Sequence, residues 1–273
     1  MKRALIYLFT FLATQYVALF LVFGAYMLIA KGDPQQGLPA EWEIAFMVVY
    51  SIFEIIVFVT AGWFQLSRTY LKSHPWSVVA WSVVAAMGAI IPSMFLQELL
   101  PQWTGWAEEM ARENAEVMGE IMMKPGGYLV VALLPPVVEE MVFRGCILRS
   151  LLVWKPQRRW LMIALSALIF ALVHLNPAQL VHTFLIGLLL GWMYMRTRSI
   201  VPGIAYHWAN NTIAYVLFHL YHNPETMEDI FGTGNLRLIL ALLFSLCIFV
   251  PALVQLHWRM RRVDDGGTSL QQS

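Results

Sequence analysis

Between Tyr128 and Trp154 the chain reads YLVVALLPPVVEEMVFRGCILRSLLVW, a run long and apolar enough to cross a bilayer, yet Glu139, Glu140 and Arg144 sit near its centre. An ionised side chain at membrane depth costs about 2.5–3.5 kcal/mol on insertion scales, so it faces a protein-lined or watered cavity rather than lipid. Backbone groups in lipid must also be satisfied internally, which leaves a run of this kind little choice but a helix packed among other helices. Two acids and a base in one span point to a polar site inside a bundle.

The rest of the chain fits that frame. Of 273 residues only 13% are charged and 59% are hydrophobic, with a mean hydropathy of +0.62, whereas soluble domains carry about 25% charged residues. The expected fold is an all-α polytopic membrane helix bundle, one domain over residues 1–262, followed by a polar tail, 263–273, expected to be disordered. A net charge of +1 gives no reason to expect a nucleic-acid partner; the lipid bilayer is the expected surrounding. Cys146 and Cys247 both fall within apolar runs and read as volume-filling residues. The basic start Met1-Lys2-Arg3 resembles that of a signal peptide, but the apolar run behind it is far longer than the roughly 7–15 residues of a cleaved signal's core, so a retained first helix is expected.

A span needs about 20 apolar residues. By that measure about eight transmembrane helices are expected: Leu5–Ala30, Trp42–Leu66, Trp76–Leu96, Tyr128–Trp154, Arg159–Leu175, Ala178–Met195, Ile200–Leu220 and Leu236–Trp258. The fifth and sixth are short and share the turn Asn176-Pro177, where proline ends one helix and can open the next. Basic residues cluster at alternate connections: Lys2 and Arg3; Arg68 and Lys72; Arg149, Lys155, Arg158 and Arg159; Arg196 and Arg198; Arg259, Arg261 and Arg262. By the positive-inside rule both termini are expected in the cytoplasm, and the short loops fit a prokaryotic inner membrane. Residues 104–124 space Trp106, Met110, Val117, Ile121 and Met122 at helical intervals between glutamates, as an amphipathic helix outside the membrane would; a connector and a lid over a substrate entrance are its two readings.

Polar residues on three of these helices can carry chemistry. Pro135-Pro136 precedes the acids and kinks the helix by withholding backbone donors. Glu140 and Arg144, four apart, share a face and can pair, while Glu139 points about 100° away and is left free to accept a proton. His174 closes the fifth helix. His207 and Asn211 lie four apart inside the seventh, where imidazole can ligate a metal or donate a proton and the amide can stabilise an oxyanion; Asn210 faces elsewhere, as a helix–helix hydrogen bond would require. His182, His219, His222 and His257 read as structural. A base with electrophilic donors is what hydrolysis requires. The zinc-protease pattern His-Glu-x-x-His is absent, so a metal site would have to be assembled from different helices.

Taken in order, Glu139-Glu140-x-x-x-Arg144, Phe170-x-x-x-His174 and His207-x-x-x-Asn211 resemble the CPBP family of intramembrane proteases, the CAAX prenyl proteases and bacteriocin-processing enzymes also called the Abi family. The link Gly187–Asn211 is similar too, and the family core would span about 128–220. The resemblance implies an endopeptidase with its site in the bilayer, acting on a membrane-associated peptide or protein. Glu139 would activate the attacking water and His174 would help hold it. His207 and Asn211 would stabilise the oxyanion, and Glu140 with Arg144 would support the acids. In a metal-dependent version Glu139, His174 and His207 become ligands of Zn2+, which lowers the pKa of bound water to about 7; in a metal-free version Glu139 alone is the base. The sequence leaves both open.

Two other classes compete. Intramembrane acids and histidines also mark proton relays in transporters, but the inverted repeat a transporter would show is absent and the charged residues cluster in the second half. A non-catalytic immunity or scaffold protein of the same family would tolerate the loss of Glu139. One tension concerns depth: charge alternation puts His174 near the outer face, while Glu139 and His207 lie near mid-depth, so the fifth helix must tilt or its turn must re-enter the membrane.

Overall fold

The computed structural model of the chain describes all residues except 34, 36, 65, 73–75, 105, 177–178, 222–225 and 267–273. Among the described residues the fold is all-α: α1 (Lys2–Ala30), α2 (Ala40–Thr60), α3 (Trp76–Thr104), α4 (Trp106–Met123), α5 (129–154), α6 (Arg159–Val173), α7 (Leu180–Thr197), α8 (Val201–Leu220) and α9 (Asn235–Gly266), with short helical turns at Arg68–Lys72, Pro156–Arg158 and Met227–Phe231. Six of these helices are long and apolar enough to cross a membrane: α1, α2, α3, the stretch Pro156–Val173, α7 and α9. The expected fourth and seventh spans, α5 and α8, are helical but are not among the six. They are the two that carry the acids, His207 and Asn211, and they are set into the bundle by their neighbours.

Two apolar cores hold the helices. In the first, a ladder of rings runs from α1 through α5 to α6: Phe11 meets Phe143 edge-on at 5.2 Å and Phe143 meets Phe170 at 5.0 Å, contacts worth about 0.5–1.5 kcal/mol each beyond their area. The second joins α3, α7, α8 and α9 through small residues, among them Ala85, Ala86, Ala89 and Ala252. There a Cβ on Gly88 would stand 2.5 Å from the Phe249 backbone nitrogen, so only glycine allows α3 and α9 this close. Between α6 and α7 the same device recurs: a Cβ on Gly187 would meet Ala167 Cβ at 2.8 Å and one on Gly191 would meet Ile163 at 2.8 Å. Two glycines four apart clear one face of α7, which is how helices without a hydrophobic drive between them approach in lipid. Outward, Phe9, Phe20 and Phe244 are 75%, 80% and 70% exposed. A surface so apolar belongs in hydrocarbon, and the chain is an integral membrane protein.

Two boundaries differ from the sequence reading. The fifth expected span, Arg159–Leu175, ends at Val173 with His174 as its C-cap, and Leu175 turns the chain with a φ of 49°. Pro177, the second residue of the expected turn, lies outside the described residues, as does His222. α9 continues to Gly266, past the expected boundary of a disordered tail at Val263, because extending a formed helix adds one hydrogen bond for each residue fixed.

The acidic amphipathic helix expected at 104–124 forms as α4. Its last turn docks: Ile121 is buried against Ala40 and Val130, and Lys124 reaches Glu41 at 2.6 Å. That hydrogen bond raises the Lys124 ammonium above its ordinary pKa, although an exposed pair of this kind adds little stability.

Candidate active site

The site begins with an irregularity in α5. Val131 would pass its carbonyl to the N–H four residues on, but residue 135 is proline and has none. The backbone responds by widening into π-helical turns at Leu129–Leu133 and again at Glu140–Leu148, a geometry frequent at functional sites. Asn211 of α8 supplies the missing donor: its Nδ2 donates to the Val131 carbonyl at 3.0 Å. Asn210 then donates to Asn211 Oδ1 at 3.3 Å. That bond lies within α8 rather than between helices, as expected for Asn210 from the sequence.

The three motif groups meet here. Arg144 Nη1 donates to Glu140 Oε1 at 2.7 Å, with the side chains 1% and 0% exposed, so the i, i+4 pairing expected from the sequence is present and buried. The Arg144 guanidinium also lies 4.2 Å from the Phe170 ring centroid. Phe170 is the hub: its ring stands edge-on to His174 at 4.7 Å and to His207 at 6.2 Å. His207 sits between the two acids, Nε2 at 3.9 Å from Glu139 Oε2 and Nδ1 at 3.6 Å from Glu140 Oε1. His174 Nε2 is 3.8 Å from the same Glu139 oxygen.

The tautomer of His174 follows from its neighbours. A carbonyl can only accept, so the 2.7 Å contact between Nδ1 and the Phe170 carbonyl fixes the proton on Nδ1 and leaves Nε2 with a bare lone pair in the neutral ring. That lone pair faces a carboxylate oxygen that is buried and has no hydrogen-bond partner. Two acceptors aimed at each other require a shared proton donor or cation between them. A water bridging them through two bonds of about 2.8 Å would span about 4.6 Å at a tetrahedral angle; two ligands of a tetrahedral zinc would stand about 3.3–3.4 Å apart. The observed 3.8 and 3.9 Å fall between. Glu139, His174 and His207 are the donor types zinc takes, but among the described residues no three such side chains are grouped closely enough to hold a metal ion.

Five of the six residues singled out in the sequence thus meet, with Glu139 16% exposed and His174 25% exposed, while Asn211 bonds α8 to α5 at Val131. His219 bonds the Tyr215 carbonyl and His257 stacks on Trp192, away from this cluster, consistent with structural roles. Two residues the sequence reading passed over belong to the neighbourhood. A Cβ on Gly203 would stand 2.5 Å from Glu140 Oε2, so glycine is what lets α8 close over that acid; the signal was a glycine one turn before His207. Tyr128 accepts a hydrogen bond from Trp208 Nε1 at 3.2 Å and shares another with Thr212 Oγ1 at 3.2 Å, tying the start of α5 to the face of α8 beside Asn211. Glu54 was also missed: a lone acid in an otherwise apolar span, it is fully buried and accepts from Thr14 of α1.

Residues 123–213, a third of the chain, match the family model described as type II CAAX prenyl endopeptidase Rce1-like. No curated protein and no solved structure matches the chain. The matched stretch contains the α5 acids, Arg144, His174, His207 and Asn211 together, so the similarity to that family model lies over the residues of this site.

Proposed function

We propose that the protein is an intramembrane endopeptidase that hydrolyses a peptide bond near the membrane surface, of the kind that processes CAAX-type tails. The observation that carries the reading is the convergence of Glu139 Oε2 with the bare Nε2 of His174 at 3.8 Å and with His207 Nε2 at 3.9 Å, two acceptors and an imidazole N–H that together orient a water. Glu139 takes a proton from that water while its oxygen attacks the scissile carbonyl carbon; His174 accepts the second O–H and aims the lone pair. Asn211 keeps one amide N–H after bonding Val131 and, with His207, donates to the developing oxyanion. Glu139 then returns the proton to the leaving amine. Arg144 and Glu140 hold His207 and the α5 turn in place. Positioned proton transfer of this kind contributes about 10²–10⁴ in rate, and each oxyanion donor about 10²–10³.

A second reading takes the same convergence as a site where Glu139, His174 and His207 would hold Zn2+, which would supply a water of lowered pKa; the 3.8 and 3.9 Å separations lie between the two geometries. Both termini on the cytoplasmic side, in a prokaryotic inner membrane, complete the proposal. The test uses the full chain in lipid nanodiscs with a set of lipid-tethered tail peptides, cleavage being followed by mass spectrometry with and without a chelator. Cleavage that survives metal removal supports the glutamate mechanism; cleavage abolished by chelation and restored by zinc transfers the water to the metal. No cleavage of any tail by folded protein would overturn the protease reading in favour of a binding or immunity role.

A further inference from the structure

A second, chemically different cavity of about 990 Å³ opens at the basic end of the bundle, where α1 begins and α5 ends. Its polar lining is cationic: Lys2 and Arg3 from α1 and Arg149 from α5, joined by the Ser150 hydroxyl. None of its described lining residues is acidic, and none of these three cations forms an ion pair with a carboxylate among the described residues. Three uncompensated positive charges around one cavity call for an anion. The remaining walls are hydrocarbon and indole, Ile6 and Val153 with Trp63 and Trp154, and Val153 is 75% exposed on the outer surface of α5. Tryptophan marks headgroup depth, and an open apolar wall beside it continues into the acyl region.

A free phosphate has no use for such walls. The volume stands at the upper end of the roughly 300–1,000 Å³ of small-ligand sites, well beyond one inorganic anion. We infer that this cavity is a binding site for an anionic phospholipid, its phosphate held by Lys2, Arg3 and Arg149 and its glycerol and acyl carbons lying along Ile6 and Val153. The site is separate from the peptidase pocket: Arg149 lies ten residues beyond Glu139 on α5, with Phe143 and Ile147, buried in the first core, on the turns between.

Native mass spectrometry of the full chain, titrated with phosphatidylglycerol or phosphatidylcholine, tests it. Juxtamembrane cations contribute roughly a factor of five in affinity each, so Lys2→Gln/Arg3→Gln/Arg149→Gln should weaken phosphatidylglycerol binding on the order of 100-fold and leave phosphatidylcholine binding unchanged. Ser150→Trp, which narrows the cavity beside Arg149 and keeps every charge, should lower phosphatidylglycerol binding as well, so the result does not depend on one variant folding. Equal retention of the two lipids by the unmodified chain, or unchanged phosphatidylglycerol binding in both variants, overturns the proposal. Displacement of the lipid by millimolar inorganic phosphate would overturn it in favour of a free-anion site.

Discussion

Glu140 and Arg144 show how much a single buried pair can govern. With both side chains at most 1% exposed, their mutual attraction mainly offsets their own desolvation, and the cost appears when one partner is removed. Arg144→Met keeps most of the stem volume and strands the acid; it should lower stability by about 3–5 kcal/mol, read as the shift in the thermal transition, with Glu140→Gln/Arg144→Met recovering part of the loss. An unshifted transition would mean the pair is not buried as described. Gly203 works by what it lacks. Gly203→Ala adds a methyl where the Glu140 carboxylate already sits, an overpacking worth about 1–3 kcal/mol. Because it displaces the acid that faces His207, cleavage should fall more than stability does; equal wild-type rates would remove Gly203 from the positioning of the site. The i, i+4 pairing of Glu140 with Arg144 was readable from spacing alone. The role of Gly203 was not, since a glycine's use depends on what approaches it from another helix.

At the scale of elements, α5 and α6 owe their usefulness to being imperfect helices. Pro135 leaves the Val131 carbonyl for Asn211, and α6 ends at Val173, which leaves His174 at its cap, 3.8 Å from Glu139. The order of the three motifs and the existence of their helices were legible in periodicity and apolarity. The meeting of His174 with Glu139 was not: it depends on how α5 and α6 pack, which spacing along one helix does not carry. The close seam between α6 and α7 makes this arrangement possible. Gly187→Val would force α7 away from Ala167, and the account expects His174 to swing from Glu139 and cleavage to fall at least tenfold while helix content by circular dichroism holds. Full activity in that variant would show that the seam does not position His174.

For the molecule as a whole, the distribution of charge sets orientation. The basic residues gather at one end of the bundle, and the acidic α4 stands at the other. With Cys146 and Cys247 replaced, a cysteine at Glu113 should react with an impermeant maleimide added outside intact cells, and one at Gln157 only after the membrane is opened. The reverse pattern would invert the proposed topology. Two helices, α5 and α8, are not among the six candidate spans, so the polar residues and helix breaks that mark the candidate site in the sequence also blur the count of spans.

The most direct test of the central claim is the single-turnover cleavage rate of Glu139→Gln in full-length protein whose thermal transition matches wild type. An amide in place of the carboxylate keeps the shape and cannot take the water's proton. The account predicts a rate lower by about 10²–10⁴. A rate within threefold of wild type would contradict it, and Glu139 would no longer be the group that activates water.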